Sequence, residues 1–252
     1  MSNYCDFAFV YDRLTDNVNY PERAEYIRTL FERLGVKKGS DVLDLACGTG
    51  SLTLELSDSY EMIGVDNSPE MLSQAQEKMY DAEKRILFLC QDMTELDLYG
   101  TVDAAVCMLD SLNHLDSPED IRTVINKVGL FMNHGGIFVF DVNTIYKHRE
   151  ILGNNTFVYD CDDVYCVWQN QLNEDDSVEI SLDIFEQDGD AYFRSSESFT
   201  EIVCPIDDYK KWLSEAEFEI INIFDEMSDS PLSDITERAV FVARYIGKKE
   251  EN

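Results

Sequence analysis

The stretch that decides the fold is VLDLACGTGSLTLEL, residues 42–56. Apolar strand residues run into a carboxylate, then Gly48-Thr49-Gly50, then a helix-like segment. Glycine at such a turn lets the backbone approach a ligand closely. In open parallel sheets, ligands sit at the carboxyl ends of the strands, near a switch in strand order. A strand–Gly-x-Gly–helix unit is therefore a candidate ligand site. The turn has no lysine, which excludes a nucleoside-triphosphate loop. A dinucleotide fingerprint needs a third glycine, and that place is Thr53.

On either side of this stretch, strand and helix patterns alternate. The spacing predicts strands at 41–45, 62–65, 86–90, 102–108 and 137–140, with helices at 21–34, 52–57, 69–80 and 118–132. The strands are continuous apolar runs, as a sheet covered on both faces requires. Alternation of this kind predicts an α/β domain with a parallel sheet and right-handed crossovers. The pattern breaks over 144–203. There, Val178, Ile180, Leu182 and Ile184 alternate with Glu179, Ser181 and Asp183, and QDGDAY reads as a turn. We expect three or four antiparallel strands in this insertion. A helix from Asp207 and two further strands complete the first domain, which thus comprises 1–143 and 204–252, with 144–203 as a β-rich substrate lid.

Three acids occupy telling positions. Asp66 closes the second strand, where a carboxylate accepts hydrogen bonds from ribose hydroxyls. Asp92 follows the third, where it accepts from an adenine amino group. Asp44 lies within the first strand, and a buried charge there is costly unless paired. Local roles compete with these: Asp66 can cap a helix and Asp92 can hold a turn. Acids at strand ends fit a ligand bearing amines, hydroxyls and positive charge better than a pyrophosphate.

Taken in order, these residues resemble the class I S-adenosylmethionine-dependent methyltransferases, close to small bacterial members acting on small molecules. Asp44-Leu45-Ala46-Cys47-Gly48-Thr49-Gly50 is similar to their first motif, Asp66 to their ribose-binding acid, and Gln91-Asp92-Met93 to their adenine-contact segment. VDAAVCMLDSLNHL resembles their fourth strand and the loop after it, and 207–247 their closing helix–strand–strand unit. The resemblance implies a Rossmann-like, seven-stranded, mostly parallel sheet with its last strand antiparallel, beside the small antiparallel insertion. It implies S-adenosyl-L-methionine as cofactor. Gly48 and Gly50 would meet it through backbone, with Asp44, Ala46, Cys47, Gln91 and Leu109 around it. Asp66 would hold the ribose, Asp92 and Met93 the adenine, with Asn67 and Met71 flanking it and Tyr11 and Tyr20 closing over.

Methyl transfer is an in-line displacement that depends on positioning and water exclusion. A base is needed only when the nucleophile starts protonated. No catalytic residue follows from the reaction alone, and the accepting atom (N, O or C) stays open. By family analogy, substrate-facing residues are Asp110, Asn113, Asn143 and Tyr146. His114 and His148 are possible bases, and Asp110, Asp141 and Asn143 a possible magnesium set, although no metal is expected. Eight aromatics of the insertion, Phe157, Tyr159, Tyr165, Trp168, Phe185, Tyr192, Phe193 and Phe199, either line a pocket or form the small sheet's own core.

Composition limits the partners. Twenty Lys and Arg against 51 Asp and Glu give a net charge of −31. That field repels nucleic acid and suits a small-molecule substrate or, alternatively, a basic protein. The loop after the fourth strand also lacks the Asn/Asp-Pro-Pro-Tyr/Phe pattern of enzymes that methylate exocyclic amines in DNA. Seven cysteines without zinc spacing read as reduced thiols. No leader is expected at the start, nor a membrane span, so we expect a cytoplasmic monomer or weak homodimer. The rival readings are a nicotinamide dehydrogenase and a non-catalytic protein that binds an adenosine cofactor.

Overall fold

The computed structural model describes Ala8, residues 10–161 and residues 163–247. The first seven residues, where no leader is expected, lie outside the described residues, as do residues 248–252. Seven strands form the main sheet: β1 (Asp41–Leu45), β2 (Glu61–Asp66), β3 (Leu87–Cys90), β4 (Val102–Cys107), β5 (Met132–Asn143), β10 (Phe218–Asp225) and β11 (Arg238–Tyr245). Their order is β10-β11-β5-β4-β1-β2-β3, and β11 runs antiparallel to both neighbours. The chain leaves β1 toward β2 and β3, then returns to place β4 on the other side of β1. The switch point is therefore the crevice between the ends of β1 and β4.

Side-chain alternation along the strands builds two cores. Leu43, Leu45, Ala105, Phe138, Phe140 and Phe241 face α5 (Pro118–Leu130) and α6 (Ile206–Glu215). Val42, Ala104, Val106, Val139 and Val240 face α2 (Tyr20–Leu34) and α3 (Ser51–Leu56). Asp44 shares the phase of Val42, so it points toward α3, a placement used below. Helix starts follow local chemistry. Ser68 accepts from the Met71 amide ahead of α4 (Pro69–Asp81), and Ser117 from the Asp120 amide ahead of α5, each with proline at the first helical position. Gly35, at φ +89°, ends α2.

The strand expected at 137–140 extends over Met132–Asn143. Gly135 and Gly136 lie within it. Here Gly135 takes φ +86°, and Gly136 lies against Met132, where a Cβ would fall 2.5 Å from the sulfur. The irregularity bends the strand without ending it.

The insertion forms a separate antiparallel sheet of β6 (Thr156–Cys161), β7 (Val164–Leu172), β8 (Val178–Asp188) and β9 (Ala191–Glu201), in that order. Val178, Ile180, Leu182 and Ile184 bury one face with Val164 and Cys166, joined by Ala8, Val10 and Leu14 from the N-terminal segment and by Met71 from α4. A π-helical turn, Lys147–Leu152, connects this sheet to β5. Among the described residues no helix is long and apolar enough to cross a membrane.

Candidate active site

Beyond β1 the chain turns through Ala46 (φ +59°), Gly48 (φ +54°) and Gly50 (φ +72°). Gly48 has nothing within 4 Å of its absent Cβ, so its backbone is open to a ligand. Gly50 serves packing: a Cβ would lie 2.9 Å from Ala75 Cβ and 3.2 Å from Phe88 Cζ. Asp66, at the end of β2, ties the turn down. Its carboxylate accepts from the Gly48 amide at 2.8 Å and from the Ser68 amide at 2.9 Å. Burial pushes this carboxyl up, while the amides of Ser68, Gly48 and Asn67 oppose that rise.

Asp44 is 2% exposed. Thr53, one turn into α3, donates to it at 2.5 Å. Desolvation raises its carboxyl to about 7, against the Thr53 hydrogen bond. Cys47 is likewise pushed well up, by burial first and then by Asp44 and Asp66, so the thiol is neutral.

A short helix, α1 (Tyr11–Leu14), clasps the glycine turn from above. Asp12 accepts from Thr49 at 2.7 Å and Ser51 at 3.3 Å, and pairs with Lys78 of α4. Its neighbour Arg13 reaches the other way, to Asp163 at 2.7 Å and Glu186 at 3.2 Å on the small sheet. Adjacent residues thus bridge the glycine turn and the insertion.

Across the crevice, Leu109 (φ +61°) and Asp110 (φ +52°) turn the chain after β4. Their amides donate to Asp141 at 3.1 and 2.6 Å. Arg238 Nη1 lies 2.7 Å from Asp110 and 3.0 Å from Asp141, and its Nε 3.3 Å from Glu226. Arg23 from α2 joins Glu226 at 2.8 Å and Asp141 at 3.7 Å. Burial raises the Asp110 carboxyl, but Arg238, Lys147 and His114 outweigh it and hold the group well below the usual carboxylate range. Asn143 Nδ2 donates both to Asp110 (2.6 Å) and to Glu201 of β9 (3.0 Å). His114 and His148 stand 3.8 and 3.6 Å from the two oxygens of Glu201.

These groups surround one cavity of about 460 Å³, within the range of small-molecule sites. Tyr11, Tyr20, Asp44, Ala46, Cys47, Gly48, Asp66, Asn67, Met71, Gln91, Asp92, Met93 and Leu109 lie on its wall; Gly50 does not. Asp92 also caps the turn Met93–Glu95, accepting from Thr94, and Gln91 exchanges hydrogen bonds with the backbone of Asp97. Of the substrate-side residues, Asp110 and Asn143 line the cavity, but Asn113 and Tyr146 do not. Asn113 is fully buried and pins backbone instead, donating to Ile202 O and accepting from the Asn143 amide. His114 is on the wall, and His148 is buried behind it.

Tyr159, Trp168 and Phe199 are the insertion's aromatics that reach the cavity. Tyr165, Tyr192 and Phe193 are exposed. The magnesium set of Asp110, Asp141 and Asn143 does not assemble, because Asp141 is sealed by two amides and Arg238. The atoms that do converge, within 4.8 Å, belong to Asp110, His114 and Glu201.

Sequence reading missed Asp12, Lys147, Glu201 and Arg238. Only Glu201 left a signal. It falls on the inward phase of β9, two residues from Phe199, where an apolar side chain is expected.

The donor set matches the cofactor implied by the sequence. Three carboxylates at strand ends face a glycine turn with exposed backbone, which suits amines, hydroxyls and a sulfonium. Residues 42–136 match the methyltransferase domain family. Over 244 residues, 96% of each chain, the sequence is 33% identical to the candidate methyltransferase YqeM of Bacillus subtilis (strain 168). The crystal structure of an S-adenosylmethionine-dependent methyltransferase from Clostridium acetobutylicum ATCC 824 superposes with a TM-score of 0.89 at 33% identity, covering 97% of this chain and 99% of that one. The sugar N-methyltransferase KedS8 from Streptoalloteichus sp ATCC 53650 shares the fold, with a TM-score of 0.79 at 20% identity over 95% of this chain and 92% of that one.

Proposed function

The chain belongs to the class I S-adenosylmethionine-dependent methyltransferases, and from that premise we propose that it methylates a small molecule held between the switch-point crevice and the small sheet. One observation carries the reading: a single cavity joins the glycine turn and its carboxylates to a second polar group built from Asp110, Asn143 and Glu201. In this reading the first end takes the cofactor and the second the acceptor, with residues 144–203 as the lid.

Bound S-adenosylmethionine supplies an electrophilic methyl group on a positively charged sulfur. The chain's own residues bind and orient. Asp66 already accepts two amides and keeps lone pairs for ribose hydroxyls. Gly48 offers backbone without a side chain in the way. Asn67, Met71 and Met93 would flank the adenine, and Asp92 would accept from its amino group. Asp44 stands where a positive charge stabilises its ionised form. Tyr11 and Tyr20 close the cofactor side, while Trp168, Tyr159 and Phe199 exclude water from the acceptor side. A net charge of −31 argues against a nucleic-acid acceptor.

Calorimetric titration with S-adenosylmethionine and, in parallel, NAD⁺ tests this. Wild type is expected to bind S-adenosylmethionine saturably and NAD⁺ not at all, and Asp66→Ala to bind at least tenfold more weakly. No binding by folded wild type would overturn the proposal, and NAD⁺ binding in its place would favour a dehydrogenase.

A further inference from the structure

We infer that the acceptor is a primary or secondary amine, and that Glu201, carried in by the lid strand β9, binds its ammonium form and takes its proton. This rests on the methyltransferase reading above and names the acceptor class for the same cavity.

Among the described residues Glu201 has no lysine or arginine partner; Asn143 donates to it and two histidines stand near it. Arg23 and Arg238 pair with Asp110, Asp141 and Glu226, while the Lys147 ammonium donates to the Asn143 amide oxygen, which leaves Glu201 outside these ion pairs. Of these carboxylates, Asp110 and Glu201 are the two on the cavity wall. Asn143 holds them side by side through its one amide nitrogen, at 2.6 and 3.0 Å. Glu201 is 2% exposed. A buried carboxylate needs compensation, and a substrate ammonium supplies both the charge and several N–H donors. Phe199 and Trp168 on the same wall suit a cation beside an aromatic face. The Asn143 amide and the Arg238 guanidinium already occupy coordination directions at these carboxylates. A singly charged ammonium therefore fits better than a divalent metal ion.

His148 gives the proton a place to go. Its Nδ1 lies 2.8 Å from the Asp176 carbonyl oxygen, which only accepts, so Nδ1 carries hydrogen. The other nitrogen, Nε2, is buried and has no hydrogen-bond partner among the described residues. It faces Glu201 Oε2 at 3.6 Å. With a neutral ring, two acceptors look at each other, and a proton delivered to Glu201 completes the hydrogen bond that the pair lacks.

An amine is protonated at neutral pH and has no lone pair to attack with. The acceptor ammonium gives one proton to the Glu201–His148 pair. The freed nitrogen lone pair forms the N–C bond while the C–S bond breaks and leaves its electron pair on sulfur. The product departs as the methylated ammonium. The proton leaves through His114, which stands 3.8 Å from Glu201 Oε1 at the more open side of the cavity.

The test uses the full chain saturated with S-adenosylhomocysteine, whose own binding is measured first. Methylammonium, 2-aminoethanol, benzylammonium and glucosamine are titrated by ligand-observed NMR, each against its hydroxyl counterpart (methanol, ethylene glycol, benzyl alcohol, glucose). At least one amine is expected to bind tenfold or more tightly than its counterpart. Glu201→Gln should erase that preference while S-adenosylhomocysteine binding stays within twofold, and Glu201→Asp should recover part of it. In parallel, the His148 Nε2 nitrogen shift should change on amine binding in wild type and not in Glu201→Gln. If no amine outbinds its counterpart, or if the preference survives Glu201→Gln, the inference is wrong. Failure of wild type to bind S-adenosylhomocysteine would instead strike the methyltransferase reading itself.

Discussion

Replacing Asp44 by Asn should change the stability of this protein in a pH-dependent way. Asp44 is 2% exposed, and desolvation lifts its carboxyl from 3.8 to about 7. Above pH 7 both folded and unfolded states carry the anion, and the folded state bears the full cost of burying it. Between pH 7 and 4 the folded state binds a proton that the unfolded state does not, so this group favours folding increasingly as pH falls. At about 1.36 kcal/mol per pH decade, the span amounts to about 4 kcal/mol. Asp44→Asn removes the charge and keeps an oxygen for the Thr53 hydroxyl, seen here at 2.5 Å. Relative to wild type, the variant should therefore gain up to about 4 kcal/mol between pH 4 and pH 8. For a chain of this size that is roughly 8–16 °C in melting temperature. Calorimetric melting of both proteins at pH 4.5, 6 and 8, without ligand, reads this directly. A wild type-to-variant difference that is flat across that range would refute the burial argument. The same logic makes S-adenosylmethionine binding weaken below pH 7, by up to about tenfold per unit, because a cationic ligand needs the ionised carboxylate.

The two glycines of the turn should respond differently to alanine. Gly50→Ala places a methyl 2.9 Å from Ala75 Cβ at φ +72° and should cost about 2–4 kcal/mol by urea denaturation. Gly48→Ala meets no neighbour within 4 Å, so it should cost only about 1 kcal/mol in stability, while calorimetry shows S-adenosylmethionine affinity falling tenfold or more. Arg238→Met strands Asp110 and Asp141, whose carboxylates lie 2.7 and 3.0 Å from the guanidinium; urea denaturation should show a loss of about 3–5 kcal/mol, with Arg238→Lys losing less.

The difference between the two ends of the cavity explains what could be read from the sequence. Asp44, Asp66 and Asp92 stand at or near the ends of successive parallel strands, and the sheet fixes their placement once the strands are identified. Asp44 pairs with Gly64, and Asp66 with Cys90, in the register of β1, β2 and β3. Short-range pattern is therefore enough for the cofactor end. The end around Asp110 and Glu201 obeys no such rule. Arg238 meets Asp110 from 128 residues away, and Glu201 meets Asn143 from 58. Lys147 and His148 arrive on a π-helical turn that no period announces. Asn113 shows the converse: it sits in the loop where substrate contacts are expected, yet its amide is spent on the backbone of Ile202 and Asn143. Within β9, Ser195, Glu197, Phe199 and Glu201 share the inward phase, and Glu201 is its most buried member. A carboxylate buried on the covered face of β9 contributes nothing to that sheet's apolar packing and must be satisfied from outside it. Asn143 and His114 from the main domain, and His148 from the turn that leads into the insertion, partly do so. The seating of β9 against the ends of β4 and β5 and the satisfaction of this buried carboxylate thus depend on the same side chain.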